Sequence, residues 1–112
     1  VNAEMVGPRY VGAVGGQVDF VRGAQRSRGG RAITALPSTA AGGRVSRIVS
    51  QLAGGVVTTA RSDADVFVTE WGVADLRGQT LKERARRMIA IAHPDHRDSL
   101  AQAAHALGLG LN

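Results

Sequence analysis

The sequence predicts a single α/β or α+β layer, with helices packed against a sheet. Periodicity runs in the order one helix, several short strands, then two helices. The segment Asp65-Val66-Phe67-Val68-Thr69 is apolar enough to be buried on both faces, as an interior strand is. The last third carries two amphipathic helices whose apolar stripes need a sheet to cover them. A chain of 112 residues supplies one domain and buries about two thirds of its unfolded surface.

Taken in order, Val1 to Val14 contains Gly7, Pro8 and Gly12 and reads as an irregular approach. Gly15-Gly16 then turns the chain tightly and leaves no Cβ between its N–H groups and an incoming ligand. From Gln17 the pattern is helical, with Val18, Val21 and Ala24 three apart, and Arg28-Gly29-Gly30 stops the helix near Ser27. Ala32 to Leu36 is a short strand closed by Pro37, followed by a loop of small residues from Pro37 to Gly43. Val45 to Leu52 mixes β-branched and polar residues and is broken by Gly54-Gly55. Val56 to Thr59 is a second strand and Asp65 to Thr69 a third.

Glu70-Trp71-Gly72 ends that strand, and Val73 to Leu76 reads as a short helical turn before Arg77-Gly78. Thr80-x-x-Glu83 is a capping box. Behind it Leu81, Ala85, Met88, Ile89 and Ala92 form one stripe, with Lys82, Glu83, Arg84, Arg86 and Arg87 on a solvated face. His93-Pro94 breaks this helix. The last helix starts at Pro94 or Asp95, buries Leu100, Ala103, Ala104 and Leu107, and stops at Gly108.

Composition narrows the chemistry. The absence of cysteine removes disulfides, thiolate nucleophiles and cysteine-based metal sites, and fits a cytoplasmic protein. No apolar run reaches about 18 residues and no charged leader precedes an apolar core. Position 1 is Val rather than Met, so we expect a piece of a longer chain. The net charge of +5 is almost all arginine and points to an anionic partner. Those cations are scattered and the aromatics are only Tyr10, Phe20, Phe67 and Trp71, so nucleic acid is not the expected partner.

A glycine turn feeding a helix start offers unpaired N–H groups and the positive end of the helix dipole. Gly15, Gly16 and Gln17 therefore suit a phosphate, a carboxylate or a developing oxyanion. Glu70, at a strand end, is either a nucleophile or base or, more commonly for such carboxylates, a static partner. His93, His96 and His105 lack a third ligand at metal spacing, so no metal is expected. Ser38 and Ser46 lack the context of a nucleophile elbow, and Asp63 and Asp65 read as turn residues.

The blocks GGQVDFVRGA, ALPSTA, SRIV, VVTTARSDADVFVTEWGVADLRG and ERARRMIAIAHPDHRDSL occur in this order. Together they resemble the carboxyl-terminal part of the acetyl-CoA hydrolase/transferase family, from about Val1 to Leu107. That resemblance implies an α/β domain of the NagB/RpiA/CoA-transferase type, with a partly parallel sheet flanked by helices. It implies a parent several times longer, with two similar domains and the active site between them. The reaction implied is class I CoA transfer between an acyl-CoA and a small carboxylic acid, through a glutamyl thioester. The glutamate of that thioester lies upstream, and Glu4 and Glu70 do not match its setting.

Gly15 and Gly16 match the family's thioester-lining loop, with Gln17 the nearest side-chain donor. Ser38 and Thr39 are the second choice for contacts to CoA. CoA or acyl-CoA is then a substrate and no prosthetic group is implied. The implied partners are a small carboxylate and further copies of the chain, as a homodimer or larger oligomer, with no membrane or nucleic acid. Hydrolysis of acetyl-CoA, in which water replaces the acceptor acid, is the alternative within this chemistry. Outside it stand a small basic polyanion-binding module and a purely structural interaction domain.

Overall fold

The computed structural model describes residues 1–110 of the chain. They form two compact units: Val1–Ile33 with Gln51–Asp65, and Thr34–Ser50 with the residues from Val66 onward.

In the first unit, β1 (Met5–Val6) and β2 (Arg9–Tyr10) make a small antiparallel hairpin where an irregular segment was expected. Asn2 organises the approach to it: its Oδ1 accepts from the Glu4 and Met5 N–H groups, each at 3.0 Å. The strand expected at Val56 to Thr59 does not form. Thr58 and Thr59 are buried, and their N–H groups both turn to the single carbonyl of Val1, at 2.8 and 3.2 Å. Two donors on one acceptor cannot propagate a ladder, which alternates bonds along both chains. The Thr58 hydroxyl accepts from Ala3 N–H at 2.9 Å and donates to Glu4 Oε2 at 2.7 Å, so this segment works as a tether.

Helix α1 (Gln17–Arg26) follows the expected span and ends at Ser27. Its exit tolerates only glycine at position 30, where a Cβ would lie 1.9 Å from Ser27 Oγ and 2.0 Å from the Ala24 carbonyl oxygen. Arg22 bridges to Asp63 through Nε and Nη2, at 3.3 and 3.2 Å. Asp65 is more than a turn residue: it is 3% exposed and its Oδ2 accepts from Ala32 N–H at 2.8 Å.

The sheet comprises β3 (Ile33–Ala35), β6 (Val66–Thr69) and β7 (Gly72–Asp75) in the order β3-β6-β7. β6 and β7 are antiparallel, and the sheet as a whole is partly parallel, as expected. β7 replaces the helical turn expected at Val73 to Leu76. Burial there has period two, with Val73 66% exposed against 1% for Ala74 and 5% for Leu76. Four residues are too few to separate that period from a helical one in the sequence. Glu70-Trp71 is the two-residue hairpin turn, closed by Gly72 at φ +140°. The expected small-residue loop contains β4 (Thr39–Ala40), a short 3₁₀ turn (Ala41–Gly43) and the start of a hairpin to β5 (Val45–Ser46).

Helices α2 (Leu81–Ala90) and α3 (Pro94–Ala106) complete the second unit. The Thr80 hydroxyl accepts from Glu83 N–H at 3.2 Å, which is half of the expected capping box. The Glu83 carboxylate instead faces Arg87 at 3.1 Å and Arg86 at 3.6 Å. The charged face is less solvated than expected, because arginine guanidinium groups here donate to backbone carbonyls. Arg84 Nε donates to Leu76 O at 3.1 Å, Arg87 Nη1 to Asp75 O at 2.7 Å and Arg97 Nε to Ala92 O at 2.9 Å. The core of this unit holds Ile48, Val66, Phe67, Ala74, Leu76, Ile91, Ala92 and Ala104. Leu81 and Leu107, at the ends of the predicted stripes, stay half exposed.

Candidate functional site

Three of the residues singled out by sequence lie together at the start of α1. Gly15 has φ +55°, in the left-handed region that glycine enters without strain, and Gly16 is the N-cap with φ −99° and ψ 11°. Among the described residues, no side chain caps this helix start. Its first N–H groups and dipole are therefore presented without a built-in acceptor, apart from the negative Asp19 in the first turn. Gln17 is half-buried beside them. Phe20 follows one turn later, with its ring 3.6 Å from where a Cβ on Gly16 would stand. N–H groups at such a helix start can bind an anion or an oxyanion.

Ser38 and Thr39 lie in the second unit, at the entrance to β4. Ser38 is completely buried; its hydroxyl and N–H are committed to Glu70, and its carbonyl accepts from Arg47 N–H at 2.8 Å. The Ser38 hydroxyl donates to Glu70 Oε1 at 2.5 Å and the Ser38 N–H donates to Oε2 at 2.9 Å. The Ser38 hydroxyl, the backbone N–H groups of Glu70 and Ser38, and the nearby His93 together hold the Glu70 carboxyl below its usual range. Glu70 thus remains an acceptor-only carboxylate that locks the Pro37 loop, the static role among the two the sequence allowed. Thr39 is half-buried, and its carbonyl accepts from Arg47 Nε at 3.3 Å.

An aromatic and imidazole cluster adjoins Glu70 and was not anticipated. Trp71 meets the His93 ring edge-on at 5.4 Å, and the Arg97 guanidinium carbon stands 5.6 Å from the Trp71 ring centre. His93 Nδ1 accepts from Asp95 N–H at 3.2 Å, so this histidine is the N-cap of α3, with Pro94 opening the helix. His96 Nε2 is 2.9 Å from Gly43 O and donates to it, because a carbonyl can only accept. The signal for the cap was present in His93-Pro94-Asp95, where a proline at the first helical position asks for a capping side chain before it. His105 lies exposed near the end of α3. Among the described residues, no group of three or more His, Cys, Asp or Glu is placed to hold a metal.

Residues 1–104 match the acetyl-CoA hydrolase/transferase C-terminal domain. The chain belongs to this family. As a member of it, the chain is 55% identical over 101 residues to the 4-hydroxybutyrate coenzyme A transferase of Clostridium kluyveri, covering 89% of this chain and 24% of that protein. It is 38% identical over 104 residues to the acetyl-CoA hydrolase of Saccharomyces cerevisiae, covering 88% of this chain and 19% of that one. The family fold is equally plain in the crystal structure of RipA from Yersinia pestis. That structure shares 52% identity and a TM-score of 0.89, over 96% of this chain and 24% of its own. The chain thus spans about a quarter of the length of the relatives it matches first.

Proposed function

We propose that this domain is the carboxyl-terminal quarter of an enzyme that transfers CoA between an acyl-CoA and a small carboxylic acid. The observation that carries the reading is the identity of 55% to a CoA-transferase, sustained over nearly all of the domain, against 38% to a hydrolase.

In this reading a glutamate carboxylate upstream of the domain attacks the thioester carbonyl. The tetrahedral oxyanion collapses to an acyl-glutamyl anhydride and releases CoA as thiolate. The thiolate attacks the glutamyl carbonyl, frees the donor acid and leaves a glutamyl-CoA thioester. The acceptor acid then repeats both steps in reverse order, so no redox partner or metal is required. The Gly15 and Gly16 N–H groups hold the oxyanion, with Gln17 as the adjacent side-chain donor. Ser38 and Thr39 belong to the second CoA-facing loop, which the buried Ser38 braces, since its hydroxyl and N–H are both engaged by Glu70 and its carbonyl by Arg47 N–H. The enzyme acts as a homo-oligomer in the cytoplasm, without a prosthetic group or nucleic-acid partner.

The test is product analysis on the full-length enzyme, with acetyl-CoA or butyryl-CoA in the presence and absence of acetate or succinate. Appearance of the acceptor's CoA thioester, at a rate that depends on the acceptor, is the expected result. Free CoA formed at the same rate without any acceptor would replace this reading with the hydrolase one. Inertness toward both, with binding to polyanions that falls steeply with salt, would remove it in favour of a basic binding module.

A further inference from the structure

The first turn of α3 carries two fastenings and hangs on one cap. His96 Nε2 donates to Gly43 O at 2.9 Å, and Arg97 Nε donates to Ala92 O at 2.9 Å. Both side chains leave the turn that His93 caps. There His93 Nδ1 accepts from Asp95 N–H at 3.2 Å, and the His93 carbonyl accepts from His96 N–H at 2.9 Å. At the far end of the His96 bond the chain is strained. Ala41, Gly42 and Gly43 follow one another at φ +52°, +67° and +93°, and Ala41 is the one non-glycine with a positive φ among the described residues. A turn of that kind persists only while its surroundings hold it.

A histidine that caps through Nδ1 does so only while that nitrogen carries no proton. Protonation turns the acceptor into a donor, strips Asp95 N–H of its partner and sets a cation at the positive end of the helix dipole. The neighbours of the ring favour each state in turn. Glu70, on the β6–β7 turn, attracts the imidazolium, and the Asp95 carboxylate, 3.7 Å from Nδ1, offers the new N–H an acceptor. Arg97, lying against the same Trp71 ring, opposes the charge, and so does His96 once protonated, its ring centre 6.0 Å from that of His93. His96 is not itself the switch, because its Nε2–H donates to Gly43 O in either protonation state. We propose that His93 is a pH-operated cap: neutral, it holds the first turn of α3 and, through His96, the strained Ala41–Gly43 turn; protonated, it pairs with Asp95 and releases both. Nothing in this depends on which reaction the parent enzyme performs.

The experiment is hydrogen exchange on the full-length enzyme at about pH 7.5 and about pH 5.5, a window in which imidazole changes charge. Each rate is corrected for the intrinsic pH dependence of exchange. In wild type the protection of the Asp95, His96 and Arg97 amides falls roughly fivefold at the lower pH, the worth of one N-cap. The amides of Ala41 to Arg44 lose protection with them. His93→Asn keeps an acceptor at either pH and holds both segments at the neutral wild-type level throughout. His93→Ala, with no acceptor, exchanges faster at both. Wild-type protection that does not change with pH overturns the proposal. So does an equal fall in His93→Asn, which assigns the response to Glu70, Asp95 or His96. A helix turn that opens while Ala41 to Arg44 stays protected overturns it too, because the release then stops at α3.

Discussion

Ser38 and Glu70, 32 positions apart, close on each other through the serine hydroxyl and the serine N–H, which donate to the two oxygens of one carboxylate. A loop after β3 is thereby fastened to the hairpin turn between β6 and β7. Glu70 is held by charge-assisted bonds yet reachable by solvent, so its consequences are clearest as a function of pH.

The Glu70 carboxyl is depressed in the folded protein, mainly by the Ser38 hydroxyl. A depressed carboxyl contributes stability that is present above its unfolded value and lost as pH falls through the folded value. Loss therefore begins near the ordinary carboxylate value of 4.5 and continues below it. Ser38→Ala removes the largest cause of the shift, so the variant is less stable at neutral pH, its acid limb is shallower, and the two stability curves converge as pH falls. Thermal melts of wild type and Ser38→Ala from neutral pH to pH 3 check the outcome. Coincident limbs would show that the pair does not govern acid stability.

Gly30→Ala places a methyl group on top of the Ala24 carbonyl and the Ser27 hydroxyl, neither of which can withdraw without opening the end of α1. We expect a loss of about 3 kcal/mol, at the upper end of overpacking costs. Gly29→Ala, next door at φ +68° with open space around it, costs about 1 kcal/mol from backbone strain alone. Urea denaturation of the two variants should separate them in that order.

Gly16→Ala is the converse case. Its φ of −99° suits alanine and its new methyl meets the Phe20 ring at an ordinary 3.6 Å. Stability should change by less than about 1 kcal/mol. If an oxyanion approaches the turn, kcat should fall by about tenfold or more from the added Cβ. Steady-state kinetics beside a thermal melt of the full-length enzyme check both halves of this expectation.

Thr80→Ala removes the hydroxyl that accepts from Glu83 N–H and should destabilise α2 by about 1 kcal/mol. Thr80→Ser keeps the acceptor and should recover most of it. Hydrogen exchange at Glu83 is the direct readout, rising in the alanine variant and near wild type in the serine one.

Helices were legible in the sequence because their periods span ten residues or more and their ends carry local chemistry. The stop after Ser27, the Thr80 cap and Gly108 are all fixed by neighbours within four positions. Strand identity was less legible. Val56-Val57-Thr58-Thr59 has strand composition, but the N–H groups of Thr58 and Thr59 answer to Val1, at the far end of the sequence. Val73 to Leu76 has the right alternation in too short a window. For the candidate site, Gly15 and Gly16 could be read from local backbone requirements. The commitment of Ser38 to Glu70 and of Asp65 to Ala32 could not, because each pairing is made across more than 30 residues by tertiary structure.

Arg84, Arg87 and Arg97 carry a warning for chemical probing. Each holds a main-chain oxygen at the join between a helix and its neighbour. A guanidinium never loses its proton in a protein, so these fastenings are blind to pH, and lysine cannot reproduce their planar reach. A dicarbonyl reagent that derivatises arginine would unfasten α2 and α3 as well as modify the surface. Activity lost to such a reagent would report loosened helices, and would be misread if taken as the footprint of a phosphate-binding arginine.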